Sequence, residues 1–324
     1  MISKTEFTQE KVVVAVSVGL FILFSFLLSG FFSASNLIGL IRNISILGIL
    51  GVGMGIVIIG RGIDLSMVSI LAISAAFFIE MLNAGIPLTG SFFIALCFVL
   101  LIGIVNGVLI AYGEIPPIFA TLAMGLFVYG YGRSQIMSAD VAYVPDEYTD
   151  LLDLGTLKPL GVPIEVYIFV AVCIVAWFFL RKTKYGHYTY YIGDNYEAAR
   201  NVGIPVRPMI VLQYALSALF AAIAGAIVAG TILSLNTRIV NSTLLYDVIL
   251  IVVLGGIGLS GGKGGVSNVI FGALLIGILV NGMTIMDLEQ THQNLIKALI
   301  LLVVVILDTI FNQRNEQTEK QGDI

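Results

Sequence analysis

The sequence predicts an all-α integral membrane protein, a bundle of about ten transmembrane helices in a single domain over residues 1–324. Composition is the first reason: 58% of residues are hydrophobic and 11% charged, with mean hydropathy +1.03, whereas soluble domains carry about 25% charged residues. Run length is the second, because the apolar stretches approach 20 residues, the length that crosses roughly 30 Å of hydrocarbon. The third is periodicity. The runs lack the every-second-residue alternation of barrel strands, which leaves helices as the way to satisfy the backbone in lipid.

Spans are expected at 12–32, 44–60, 66–84, 91–112, 118–137, 164–181, 210–233, 247–259, 266–286 and 294–311. The first follows Lys4 and Lys11 and precedes Ser33-Ala34-Ser35, as a signal peptide would. Its apolar run from Val12 to Phe32 exceeds the roughly 7–15 residues of a signal core, so it reads as a retained helix. The eighth is too short to cross alone; it either extends into its flanks or ends in a broken turn buried in protein.

An even number of crossings puts both termini on one side, and basic residues choose which. With the termini inside, the inner set is Lys4, Lys11, Arg61, Arg181, Lys182, Lys184, Arg200, Arg207, Lys263, Arg314 and Lys320. The outer set is Arg42, Arg133, Lys158, Arg238 and Lys297. The bias of eleven to five predicts cytoplasmic termini, a cytoplasmic loop at 182–209 and a cytoplasmic tail at 312–324. The acidic stretch 138–163, with Asp140, Asp146, Glu147, Asp150 and Asp153, falls outside.

Ala218, Ala222, Ala226, Gly230 and Ser234 recur every four residues beside Ala221, Gly225 and Ala229, a spacing that lets helices approach closely in lipid. Gly62–Ser66 echoes Gly256–Ser260, and each follows an apolar run. Cys97 and Cys173 sit in apolar runs and read as small packing residues. His187 and His292 are far apart, no metal-ligand spacing exists, and no basic stripe suggests nucleic acid.

The loop 182–209 is the most informative segment. Asp194 is placed to cap a short helix with Glu197 bonding back, Gly203 suits the left-handed position after the last turn, and Pro205 stops continuation. A helix this short is marginal alone, and Ala198 and Ala199 leave a low surface where a partner could seat; a solvated loop helix with no partner is the other reading of the same residues. Asp64, with Ser66, reads either as the N-cap of the third helix or as an intramembrane acid of an ion relay; Gly60 and Gly62 shape the turn before it.

These segments resemble a known family. Ala198-Ala199-Arg200 followed by Gly203-Ile204 is similar to the cytoplasmic coupling motif of ABC importer permeases, within the ribose, galactoside and autoinducer-2 group. Gly60–Ser66 resembles that group's Gly-Gly-Ile-Asp-Leu-Ser signature, and Ile118–Leu122 its Phe-Ile-Ala-Thr-Leu segment. Val253–Gly256 with Leu259–Gly264 resembles its Gly-rich signature, which contains Gly255, Gly256, Gly261, Gly262 and Lys263. The resemblance covers nearly the whole chain. Arg61, Asp194 and Gly265 depart from residues usual in that group.

The resemblance implies a type II bundle like that of the vitamin-B12 importer. It implies a second permease copy or paralogue, cytoplasmic ATP-binding subunits seated on the coupling helix, and an extracellular or periplasmic solute-binding protein. It implies a bacterial inner-membrane location and a sugar-like solute. ATP and Mg belong to the partner, and no cofactor is expected here. Gly258–Gly264 fails as a phosphate loop: Ile257 occupies the first glycine position and Gly264 follows Lys263 where Ser or Thr is needed. Gly256, Gly258 and Gly261 spell a dinucleotide fingerprint with no strand before it, so flexible packing between spans is expected.

The alternative is an ion-coupled secondary transporter of a small polar solute, which needs ionisable groups near the midplane. Asp64, Glu80, Glu114, Asp247 and Asp287 all fall near predicted span ends, which argues against it. Asn106, Thr121, Tyr129, Asn268 and Asn281 are candidates to line the solute path or, equally, to bond across helices.

Overall fold

The computed structural model describes residues 9–137 and 139–311. The tail expected at 312–324, and the charges Lys4, Arg314 and Lys320, lie outside the described residues. In chain order the helices are α1 (Gln9–Leu27), α2 (Ala34–Ile59), α3 (Met67–Asn83), α4 (Leu88–Ala111), α5 (Pro117–Tyr131), α6 (Thr149–Leu152), α7 (Ile164–Lys182), α8 (Lys184–Asp194), α9 (Tyr196–Asn201), α10 (Val206–Ile232), α11 (Leu244–Gly255), α12 (Val266–Ile285) and α13 (Gln290–Phe311). A helix lies on each predicted apolar segment. Among the described residues, α1, α2, α4, α7, α10 and α12 are long and apolar enough to cross a membrane, six in all. The chain is thus a mostly helical, multi-pass membrane protein. α11 is short, as its apolar run indicated: 12 residues rise about 18 Å, well under a hydrocarbon core.

α2 is the central helix, packed against α7, α10, α11 and α12. It begins ten residues before the span expected at 44–60. Two polar residues that concealed its first turns, Asn36 and Arg42, are engaged. Asn36 and Asn281 of α12 exchange two amide hydrogen bonds of 2.9 Å. Arg42 lies 3.0 Å from Glu165, which is fully buried at the start of α7. A second ion pair, Lys297 to Asp247 at 2.7 Å, joins α13 to α11.

α10 packs closely against α3 and α4. A Cβ at Gly103 of α4 would lie 2.7 Å from the Ala215 Cα, and one at Gly225 would overlap the Leu71 carbonyl of α3. Small residues therefore do bring these backbones together, but only part of the predicted stripe serves. Ala218 meets Gly103, whereas Ala222, Ala226 and Gly230 line an apolar cavity of about 490 Å³ between α3, α4 and α10. Cys173 is buried as expected; Cys97 is exposed, so the packing role foreseen for both holds for one.

The all-α expectation needs a small correction at the end away from α8 and α9. Strands β1 (Val141–Tyr143) and β2 (Ser234–Asn236) pair antiparallel. This ribbon ties the acidic segment to the exit of α10, where Leu154 N–H also donates to the Gly230 carbonyl at 2.9 Å.

Candidate functional site

At the opposite end, three sequence motifs from distant parts of the chain converge: the turn after α2, the Gly-rich loop between α11 and α12, and the elbow between α8 and α9.

The elbow corrects the sequence reading in two ways. Residues 184–194 form a helix of 11 residues where only loop was expected, started by Thr183, whose hydroxyl accepts from Gly186 N–H at 3.1 Å. Because α8 runs through Asp194, that residue is not a cap. Asn195 holds the extended cap conformation and accepts from Ala198 N–H at 2.9 Å. Glu197 then sits one position too early to close a capping box, although a carboxylate in the first turn still suits the helix dipole.

The exit of α9 follows the sequence reading. Gly203 has φ +84°, with its N–H on the Arg200 carbonyl at 3.0 Å and the Ile204 N–H on the Ala199 carbonyl at 3.1 Å, a Schellman closure. Ala199 is the second correction. It is buried against Ile192, Val206 and Met209, so it anchors α9 instead of offering a seat. Glu197, Ala198, Arg200, Asn201 and Val202 face outward, Val202 being 77% exposed.

The turn at 60–66 is wrapped by other helices. Arg61, not a glycine, takes the left-handed conformation, at φ +69°. A Cβ at Gly60 would overlap the Gln213 amide, and one at Gly62 would lie 2.5 Å from the Tyr214 hydroxyl oxygen. Asp64 is wholly buried and is not the N-cap of α3; Ser66 holds that position. Its Oδ1 accepts from the Ser66 N–H at 3.0 Å and the Ser66 hydroxyl at 2.5 Å, and its Oδ2 accepts from the Ser217 hydroxyl of α10 at 2.7 Å.

Two path candidates join this junction. Asn106 of α4, fully buried, donates to the Ser66 hydroxyl at 2.8 Å. Thr121 of α5 accepts from Leu65 N–H at 3.0 Å. A third, Asn268, donates to the Gly255 carbonyl at 2.7 Å across α11 and α12. With Asn281 paired to Asn36, four of the five candidates bond across helices; Tyr129 stays half-buried on α5.

The Gly-rich loop packs between the spans through backbone contacts. Gly256, Gly261, Gly262 and Gly264 all have positive φ, which explains four of the five glycines in residues 256–264. Gly255 contributes differently, since a Cβ there would overlap the Asn268 carbonyl. The Gly262 N–H donates to the Ile59 carbonyl at 2.8 Å, and the Tyr190 hydroxyl of α8 donates to the Gly264 carbonyl at 2.8 Å. Burial pushes that phenol above its usual pKa against the pull of Arg181, which keeps it a donor. Lys263 lies on this loop's outer surface. Between turn, elbow, α10 and the 112–116 connection lies an open cleft of about 580 Å³, lined in part by Arg61, Glu114, Asp194, Glu197, Arg200 and Gln213.

The polar junction is thus buried, and the α9 protrusion beside it is exposed and capped at both ends. Residues 36–306 match the family described as branched-chain amino acid transport system, permease component. This chain belongs to that permease family. It is 34% identical over 307 residues to the ribose import permease protein RbsC of Escherichia coli strain K12, covering 94% of this chain and 95% of that protein. It is 35% identical over 272 residues to the galactofuranose transporter permease protein YtfT of the same strain, covering 84% and 79%. It is 31% identical over 298 residues to the fructose import permease protein FrcC of Rhizobium meliloti, covering 89% and 81%. No solved structure matches.

Proposed function

We propose that the chain is the permease subunit of an ATP-binding-cassette importer for a sugar or sugar-like solute. It works as a dimer with a second copy or a paralogue, receives solute from an extracellular or periplasmic binding protein, and leaves ATP and Mg to separate cytoplasmic subunits. On this reading the chain crosses ten times in a vitamin-B12-importer-like bundle, and the eleven-to-five bias of basic residues favours a cytoplasmic side for both termini and the elbow in a bacterial inner membrane. The likeness to ribose, galactofuranose and fructose permeases supports the solute class. The observation that carries the coupling role is the α8–α9 elbow, a protrusion specified at both ends and exposed on one face. Asp194, Glu197, Ala198, Arg200, Gly203 and Ile204 form or orient that face, with Ala199 beneath it.

The exposed face gives the test. Ala198→Glu places a long charged side chain where the ATPase seats. Gly203→Val forces a β-branched residue into the left-handed region, which costs on the order of 1 kcal/mol or more. In the reconstituted complex, both variants are expected to insert normally and to lose at least tenfold in the ATP hydrolysis stimulated by solute-loaded binding protein. Undiminished stimulation in both overturns α9 as the coupling element.

Orientation has its own test. With Cys97→Ser as background, Asp146→Cys is expected to react with an impermeant thiol reagent from outside intact cells, and Asn195→Cys only after permeabilisation. The reverse pattern overturns cytoplasmic termini.

A further inference from the structure

The elbow is not hung on α7 and α10 alone. Its closest contact is with the end of the central helix. A Cβ at Gly193 would overlap the Ile59 carbonyl oxygen and lie 2.6 Å from the Gly262 nitrogen. The same Ile59 carbonyl, one of the last of α2 and so without a partner inside its own helix, accepts the Gly262 N–H at 2.8 Å. Gly261 lies against the Arg61 backbone and the Gly193 carbonyl, where a Cβ would come within 3.1 Å of each. The Tyr190 hydroxyl, one turn back along α8, closes the contact on Gly264. Three chain segments thus meet backbone to backbone, with no side chain between α8 and α2 to give way.

We propose that Gly193, Gly262 and the Ile59 carbonyl form a rigid joint that makes the elbow, α2 and the start of α12 move as one body. A stroke delivered to α9 then reaches the bundle through its central helix. It need not bend the α7–α8 and α9–α10 connections first. The turn at 60–66, which leaves this same joint, hands the displacement to Asp64 and so to Ser217 of α10 and, through Ser66, to Asn106 of α4. Gly193 and Gly262 are positioning residues for transport: neither needs to touch solute or nucleotide. The proposal rests on α9 being the coupling element.

Rigidity is tested on the unmodified joint by hydrogen exchange. In the assembled importer the Gly262 N–H, held on the Ile59 carbonyl at 2.8 Å, should stay equally protected with and without nucleotide. Fast exchange in both states makes the contact absent, and protection lost in one of them makes it a hinge; either result overturns the proposal.

The second arm is Gly193→Ala, which must lift the elbow off α2. Solute moved per ATP hydrolysed should fall at least tenfold while hydrolysis in the assembled complex persists. A merely structural role would lower both with the amount of folded complex and leave the ratio alone. An unchanged ratio, with Ala198→Glu and Gly203→Val still abolishing stimulation, overturns the joint but keeps α9. If those two variants are silent as well, the coupling reading itself is wrong.

Discussion

Asp64→Ala should destabilise the folded permease by about 3 kcal/mol, while Asp64→Asn should stay within about 1 kcal/mol of the parent protein. The difference lies in what each residue leaves behind. Alanine strips the acceptor from the Ser66 N–H, the Ser66 hydroxyl and the Ser217 hydroxyl at once, in a site with no exposure to solvent. A hydrogen bond to a carboxylate contributes about 1.5–3 kcal/mol in water-soluble proteins. Inside a membrane the measured contributions run nearer ~0.6–2 kcal/mol, because the unfolded chain finds partners too. Three such losses therefore give about 3 kcal/mol. Asparagine can turn its carbonyl toward Ser66 and donate its amide to the Ser217 oxygen, whose hydroxyl is free to rotate. Unfolding in mixed detergent micelles measures both values. Uptake adds a separate criterion. If Asp64→Asn reaches the membrane at normal levels and transports nothing, the carboxylate has to ionise, and a purely packing role for this junction is wrong.

How much of this was legible in the sequence depends on whether the signal was local. The apolar helices were, because lipid imposes a length and a composition on each. The Schellman exit at Gly203 was, because a left-handed residue followed by Pro205 leaves few alternatives. The start of α2 was not. Asn36 and Arg42 look like the edge of a loop until their partners are known, and Asn281 and Glu165 lie more than a hundred residues away. Helix α8 was missed for a related reason. Gly186 and Gly193 argue against a helix on propensity. Yet Gly186, Thr189, Ile192 and Gly193 form its buried stripe at helical spacing, and the glycines are there because backbones touch them. A pattern of small residues was the available signal, and hydrophobic periodicity overlooks it. The side on which Ala199 lies was likewise invisible. Two adjacent alanines are equivalent in sequence, and only the packing of Ile192, Val206 and Met209 distinguishes them.

Arg42→Ala is expected to destabilise the protein by about 3–5 kcal/mol, because it leaves a carboxylate buried without its counter-charge. Glu165 has no solvent exposure, and only the Thr231 hydroxyl, at 3.1 Å, would remain to bond Oε1. Arg42 does two things at this position. Its Nε faces Glu165 at 3.0 Å, tying α2 to α7, and its Nη2 donates to the Gly155 carbonyl, tying both to the acidic segment that covers this end of the bundle. A paired replacement separates the two effects. Swapping a buried ion pair for apolar residues of similar size is often neutral or stabilising, so Arg42→Met with Glu165→Leu should recover most of the stability lost by Arg42→Ala. What it cannot recover is the bond to Gly155. The double variant should therefore unfold globally near the parent protein, yet admit protease to the 150–160 segment sooner, from the side opposite the elbow. If the double variant is as unstable as Arg42→Ala, the charge pair contributes more than its own desolvation costs. If protection of the segment is unchanged, its attachment runs through Leu154 and the β1–β2 ribbon instead of Arg42.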